Sequence, residues 1–223
     1  MMKNKPGIIL FGAGGHAKVV AELAEESGFS LEGFVDSQAS RVGEIISPFT
    51  VPILASQATL EEALGRGEPL PRGAIAAALA FGHNVGRMGL YKRLEGLVTM
   101  PTLIHPRATV SRYAHLGDGT VVMAGVVINA AVKVGRAVIL NTGCVVEHDC
   151  ELEDGVHVSP NATLCGNVTV KQGAWIGAGA TLIPGVKIGA MSVVGAGATV
   201  IDDVPEGVIV AGVPARIIKS RFA

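Results

Sequence analysis

Aromatic side chains make up only 4% of this 223-residue chain. One Trp, two Tyr and six Phe cannot supply the bulk on which an ordinary core leans. Cysteine is scarce as well. Cys144, Cys150 and Cys165 are the three present, and an odd number argues against a disulfide framework. Neither sign of charge is in excess, with 18 Lys and Arg against 19 Asp and Glu, so the broad basic footprint of a nucleic-acid binder is excluded. No apolar run approaches the roughly 18–20 residues a membrane span needs. Lys3 and Lys5 precede Ile8–Phe11, but that run is too short for a signal-peptide core. The expectation is a cytoplasmic chain with no membrane span.

What is abundant is glycine, 30 residues, within a sequence that is 49% apolar. Such a core must pack small and branched aliphatics on a repetitive backbone, and so much apolar surface argues against disorder. From Ile104 every sixth residue is aliphatic: Ile104, Val110, Leu116, Val122, Ile128, Val134 and onward to Val200, without an insertion. Four residues after each stands Ala, Thr, Val, Cys or Ser, and three after stands Gly in eight of the hexads. A period of six is neither helical nor strand alternation; it fits a hexapeptide β-helix. Each hexad is a short strand and a turn, and three hexads close one triangular coil of 18 residues. Residues 104–204 then form between five and six coils, stacked at about 4.8 Å. The large aliphatic points into the prism, the small residue fills the space beside it, and glycine serves the corner. Cys144 and Cys150 occupy the small inward position and read as packing residues. Trp175, the sole Trp, falls on the last hexad position, outside both inward sets.

The first hundred residues have a different texture. Ile8–Phe11, Leu31–Asp36 and Gly73–Phe81 read as strands; Ala17–Glu26, Thr59–Leu64 and Gly86–Glu95 read as helices. Alternation of this kind points to a small α/β domain on a parallel sheet of at most five strands. The boundaries expected are residues 1–100 for a Rossmann-like domain and 101–223 for the β-helix with its C-terminal tail. Gly12-Ala13-Gly14-Gly15-His16-Ala17 follows the first strand and opens a helix, matching Gly-x-Gly-x-x-Ala. Backbone N–H groups at such a helix start hold phosphate. Asp36 ends the second strand, where an acid meets a ribose or a base. Read alone, the glycine loop suggests NAD. No dehydrogenase-type second domain follows, and a nucleotide-linked substrate satisfies the same loop.

Chemistry on the prism is expected outside it. His148 stands two after its aliphatic, near a turn, between Glu147 and Asp149, and a carboxylate beside an imidazole fixes its tautomer and raises its basicity. Gly166 is one coil later and stacks beside His148, where a glycine leaves the floor open and offers a bare backbone donor. Base plus backbone donor suits acyl transfer. A flat-sided prism has little concavity of its own, so a cyclic trimer with clefts between prisms is expected. His157 would face a neighbour's His148 across such a seam. The six histidines show no five-residue spacing and no His-Glu-x-x-His pattern, so no metal is expected.

The hexad lattice, Glu147-His148-Asp149-Cys150, Leu164-Cys165-Gly166-Asn167 and the ending Ala211-Gly212-Val213-Pro214-Ala215 resemble the bacterial sugar acyltransferases of the left-handed β-helix superfamily. With the glycine loop in front, the chain is similar to the subfamily that N-acetylates nucleotide-linked 4-amino-4,6-dideoxy sugars, with the sialic acid O-acetyltransferases as relatives. The resemblance implies left-handed coils, a homotrimer and acetyl-CoA as donor. It implies His148 as general base supported by Asp149, with His157 and the Gly166 N–H at the acetyl end of the cofactor, and Ala178 and Ala196 under the pantetheine arm. It implies the nucleotide sugar at Gly14, Gly15, His16, Asp36, Ser37 and Gly82, with Asn141 contacting the acceptor sugar or holding its own turn. The competing readings are a sugar O-acetyltransferase, a non-enzymatic scaffold and an NAD-dependent oxidoreductase.

Overall fold

A computed structural model describes residues 5–220. The described residues form two compact units: one of residues 5–83 and 89–103, the other of 84–88 and 104–220.

The first unit is a four-stranded parallel sheet with helices. Strands β1 (Gly7–Phe11), β2 (Ser30–Asp36), β3 (Ile53–Ser56) and β4 (Ala76–Leu79) alternate with helices α1 (Gly15–Glu26) and α2 (Gln57–Gly65), and α3 (Asn84–Leu94) follows, its residues 84–88 belonging to the second unit. The sheet order is β3-β2-β1-β4. Helix α1 buries Ala17, Val20, Ala21, Leu23 and Ala24, the spacing of one apolar stripe. Helix α2 is capped by Ser56, whose side chain accepts from the Thr59 N–H, satisfying one orphan donor of the first turn. Strand β3 is absent from the sequence expectation. Its four residues follow Pro52 and show no alternation, and they form a strand because β2 offers them a ladder from Phe34 to Asp36.

The second unit is a left-handed β-helix of two-residue strands. Its three flat faces are parallel ladders, in an 18-residue register up to Val200, with Val145 opposite Val127 and Thr163, and His157 opposite Ile139 and Trp175. Face 1 runs from Thr109–Val110 to Thr199–Val200, face 2 from His115–Leu116 to Lys187–Ile188. Face 3 runs through Val121–Val122, His157–Val158 and Val193–Val194 to Val208–Ala211, where Arg216–Ser220 closes it antiparallel. From Val122 to Val200 every sixth residue is buried, and Cys144 and Cys150 are fully enclosed beside them. Burial of each such aliphatic stabilises by roughly 1.5–3 kcal/mol. Three lattice positions depart from the inward pattern: Ile104 is 37% exposed, and Val110 and Leu116 are only part-buried. They belong to the first coil, on which no earlier coil stacks.

The corner position three after the aliphatic is left-handed from Gly119 to Gly197. The eight lattice glycines there have φ between +65° and +80°, and Ala131, Asp149, Asn161 and Asn167 adopt +60°, +60°, +57° and +60°. Glycine is frequent at this position because an L side chain there carries a conformational cost.

Candidate active site

In the first unit, Asp36 ends β2, and Gly14, Gly15, His16, Ser37 and Gly82 lie just beyond the carboxyl ends of β1, β2 and β4. The chain leaves β1 toward β2 on one side while β4 lies on the other, so these residues gather at a topological switch point, the usual ligand crevice of such sheets. Gly12, at φ +120°, lets the loop pass the Ala80 carbonyl, which a β-carbon would approach to 2.7 Å. Gly14 is the N-cap of α1. A β-carbon at Gly14 or Gly15 would meet nothing within 4 Å, so the loop faces open space at a helix N-terminus, suited to phosphate. Asp36 is nearly buried. Its Oδ1 accepts from the Gln38 N–H at 2.9 Å, and its Oδ2 pairs with Arg41 Nη1 at 2.6 Å. Arg41 also grips Glu44 with Nε and Nη2 at 2.7 and 2.9 Å, so Asp36 is fixed before any ligand arrives. Sequence reasoning missed Arg41.

In the second unit, Ala130, His148 and Gly166 follow one another along the edge between faces 1 and 2. The Asp149 N–H donates to the Ala130 carbonyl (3.2 Å), Asn167 to His148 (2.9 Å) and Gly185 to Gly166 (3.0 Å). The His148 side chain projects outward and is exposed, with Nδ1 2.8 Å from Asp149 Oδ2. A carboxylate only accepts, so Nδ1 carries the proton and Nε2 presents its lone pair. The left-handed turn at Asp149 brings its carboxylate back onto the preceding ring. Glu147, the other flanking acid, is turned away and accepts from Asn129 Nδ2 at 2.7 Å.

Gly166 lies directly beneath the imidazole. A β-carbon there would come 2.6 Å from Cε1 and 2.7 Å from Nε2 of His148. The open floor expected above Gly166 is therefore taken up by the His148 ring. Among the described residues nothing accepts the Gly166 N–H.

His157 is on face 3, opposite the His148 edge of the prism, so one protomer does not bring the two histidines together. It is 7% exposed. Asn141 Oδ1 accepts from the Thr142 N–H at 2.8 Å, which turns Asn141 Nδ2 toward His157 Nε2 at 3.4 Å. Asn141 is thus tied both to its own turn and to His157. Ala178 and Ala196 are exposed and follow one another along the edge between faces 3 and 1, where Gly197 N–H donates to the Ala178 carbonyl at 2.8 Å. They form a smooth strip that a slender chain can follow.

The edge between faces 2 and 3 is closed by the first turn of α3. Arg87, 1% exposed, donates from Nε to the Ala137 carbonyl (2.8 Å) and from Nη2 to the carbonyls of Gly155 (2.8 Å) and Val156 (3.4 Å). Asn84 Nδ2 donates to the carbonyls of Gly173 and Ala174. Burial pushes the Arg87 guanidinium down to about 9, still cationic at neutral pH. Arg87 Nη2 also donates to Asn84 Oδ1 at 3.0 Å; nothing in the sequence marked these residues, because their partners on the β-helix are backbone carbonyls.

Residues 7–94 match the PglD N-terminal domain family, and residues 167–202 match the bacterial transferase hexapeptide family (six repeats). Among solved structures, the H141N mutant of perosamine N-acetyltransferase from Caulobacter crescentus, in complex with CoA and GDP-perosamine, is 38% identical with a TM-score of 0.86, over 96% of this chain and 97% of that one. The acetyltransferase domain of PglB from Neisseria gonorrhoeae, in complex with acetyl coenzyme A, is 35% identical with a TM-score of 0.84, over 96% of this chain and 100% of that one. WeeI from Acinetobacter baumannii is 25% identical with a TM-score of 0.78, over 95% and 99%. With both halves matched in one chain and the acid-backed histidine on the β-helix, this protein belongs to the hexapeptide-repeat family of nucleotide-sugar N-acetyltransferases.

Proposed function

We propose that the protein transfers the acetyl group of acetyl-CoA to the 4-amino group of a nucleotide-linked 4-amino-4,6-dideoxy sugar. The observation that carries this reading is the His148–Asp149 pair, with Nε2 outward above the Gly166 backbone. The sugar amine attacks the thioester carbonyl directly: a C–N bond forms, the C–S bond breaks, and the amine proton passes to His148 Nε2 and then to the departing CoA sulfur. Asp149 holds the imidazole in the tautomer that accepts and steadies it once protonated. The Gly166 N–H is a donor for oxygen charge developing on the carbonyl. Acetyl-CoA supplies the activated acyl group; the strip at Ala178 and Ala196 suits its pantetheine arm, and His157 with Asn141 lies at its acetyl end. Gly14, Gly15 and His16 hold the phosphates, Asp36 and Ser37 the base or ribose, and Gly82 the sugar side.

The working unit in this reading is a homotrimer. His148 is on the edge opposite face 3, which carries His157, so a complete site needs His148 from one protomer and His157 from the next. Face 1 suits the packing. Its outward residues are Thr109, Ser111, Val127, Asn129, Val145, Glu147, Thr163, Cys165, Thr181, Ile183, Thr199 and Ile201, with one charge among them. Face 2 by contrast carries the Lys133–Glu151 and Lys171–Glu153 ion pairs. No helix among the described residues is long and apolar enough to cross a membrane, and the proposed setting is the cytoplasm. The test is an assay of free CoA release with a panel of UDP-, GDP- and dTDP-linked 4-amino sugars. Release with at least one, with the acetyl group found on nitrogen, is expected. Turnover with none of them, or acetyl found on a hydroxyl, contradicts the reading.

A further inference from the structure

Trp175 is the sole Trp of the chain, and it stands one coil beyond His157 as its ladder partner. The two rings are parallel, with centroids 5.5 Å apart and planes 6° from each other. The other ladder neighbour of His157 is Ile139, fully buried. The imidazole is therefore held between an aliphatic on one side and an indole on the other. The same tether occurs twice on successive coils. His157 Nε2 faces Asn141 Nδ2, 16 residues earlier, and Trp175 Nε1 donates to Ser159 Oγ at 2.8 Å, again 16 residues earlier. Two rings tied back along the same diagonal of one face come out parallel.

Exposure divides the work between them. His157 is almost enclosed, whereas Trp175 is 44% exposed and Ser159 is buried. A large half-exposed aromatic is not required by the prism, whose interior is filled by the inward aliphatics. What the indole covers is His157.

We propose that Trp175 is a positioning residue for His157: the indole, anchored by Ser159, sets the plane of the imidazole at the acetyl end of the donor site. The inference rests on the donor-site reading above. Without the indole, one face of the ring opens to solvent, and rotation about the Cβ–Cγ bond of His157 loses the restraint of the stacked partner. The donor then meets an imidazole that must be ordered on binding. The cost appears mainly in the KM for acetyl-CoA, while His148, on the opposite edge, is untouched.

The experiment is steady-state kinetics with acetyl-CoA varied, on Trp175→Ala, Trp175→Phe, Ser159→Ala and His157→Ala, together with emission from the single Trp. Trp175→Ala is expected to raise KM by about three- to tenfold, the worth of an aromatic pair, with a smaller change in kcat. Trp175→Phe, which keeps a stacked ring, is expected to recover most of it. Ser159→Ala is expected to shift KM the same way by less, and it stands in if Trp175→Ala does not fold. His157→Ala is expected to alter the emission of Trp175, and acetyl-CoA to alter it in the wild type. Wild-type KM in Trp175→Ala, or in Ser159→Ala standing in for it, beside an impaired His157→Ala overturns the proposal alone. Wild-type kinetics in His157→Ala overturns the donor-site reading and the proposal with it.

Discussion

The imidazole of His148 lies over Gly166, 18 residues further along the chain, so closely that a β-carbon on Gly166 would stand 2.6 Å from Cε1. The glycine is there for the ring. Gly166 is not one of the left-handed glycines, and the group a new side chain would meet is an exposed imidazole able to swing away. Gly166→Ala is therefore expected to leave the melting temperature within a few degrees and to lower kcat by about 10²-fold, because a misplaced general base forfeits most of its contribution. Thermal melting and turnover on the same preparation check this.

His148→Ala removes the base itself, and a loss of about 10²–10⁴-fold in kcat is expected. Asp149→Asn is the informative companion. Asn tolerates the left-handed backbone that Asp149 adopts at φ +60°, so the turn survives while the carboxylate that fixes the tautomer is lost. A loss of kcat smaller than that of His148→Ala, about tenfold or more, is expected for so exposed a pair. Equal turnover in Asp149→Asn and the wild type would remove Asp149 from the mechanism.

Burial pushes the Cys144 thiol up to about 12 and that of Cys150 up to about 11. Thiolate is the reacting form, so at pH 8 both are protonated as well as enclosed. Neither is expected to react with a disulfide reagent in the native protein, and both should react once it is unfolded in denaturant. Peptide mapping after labelling distinguishes them from Cys165.

Arg87 satisfies the backbone carbonyls of Ala137, Gly155 and Val156 at the edge between faces 2 and 3. Arg87→Met keeps the volume and strands those carbonyls. A loss of about 3 kcal/mol or more is expected, read as a melting temperature lower by about 10 °C. Ala131, exposed and at φ +60°, gives the opposite sign: Ala131→Gly relieves a left-handed residue and is expected to raise stability by about 0.5–1 kcal/mol. Calorimetry of both variants against the wild type tests the pair.

The prism was legible because a closed triangular coil imposes its period on the sequence. An inward residue that is not Ile, Leu or Val, or a corner that does not tolerate a left-handed turn, breaks the stack, and Ile104 escaped the rule only by standing on the end coil. The pairing of His148 with Asp149 and its stacking on Gly166 followed from adjacency and from the 18-residue register. The same register places Trp175 on His157, and that signal was in the sequence, in the difference of their numbers. Arg41, Asn84 and Arg87 were not legible. Arg41 meets Asp36 through a loop that carries no period, and Asn84 and Arg87 bind carbonyls, which every residue has. Strand β3 was hidden for a related reason: it is specified by the edge of β2 that it joins.

The composite site is the claim on which the proposed function stands, and mixing of inactive variants tests it most directly. His148→Ala and His157→Ala chains, unfolded together in equal amounts and refolded, assort at random around a threefold axis. Where a site takes His148 from one protomer and His157 from its neighbour, about a quarter of the seams regain both residues, and activity of about a quarter of the wild type is expected. Activity no higher than the mean of the two variants refolded separately would contradict a site shared between protomers.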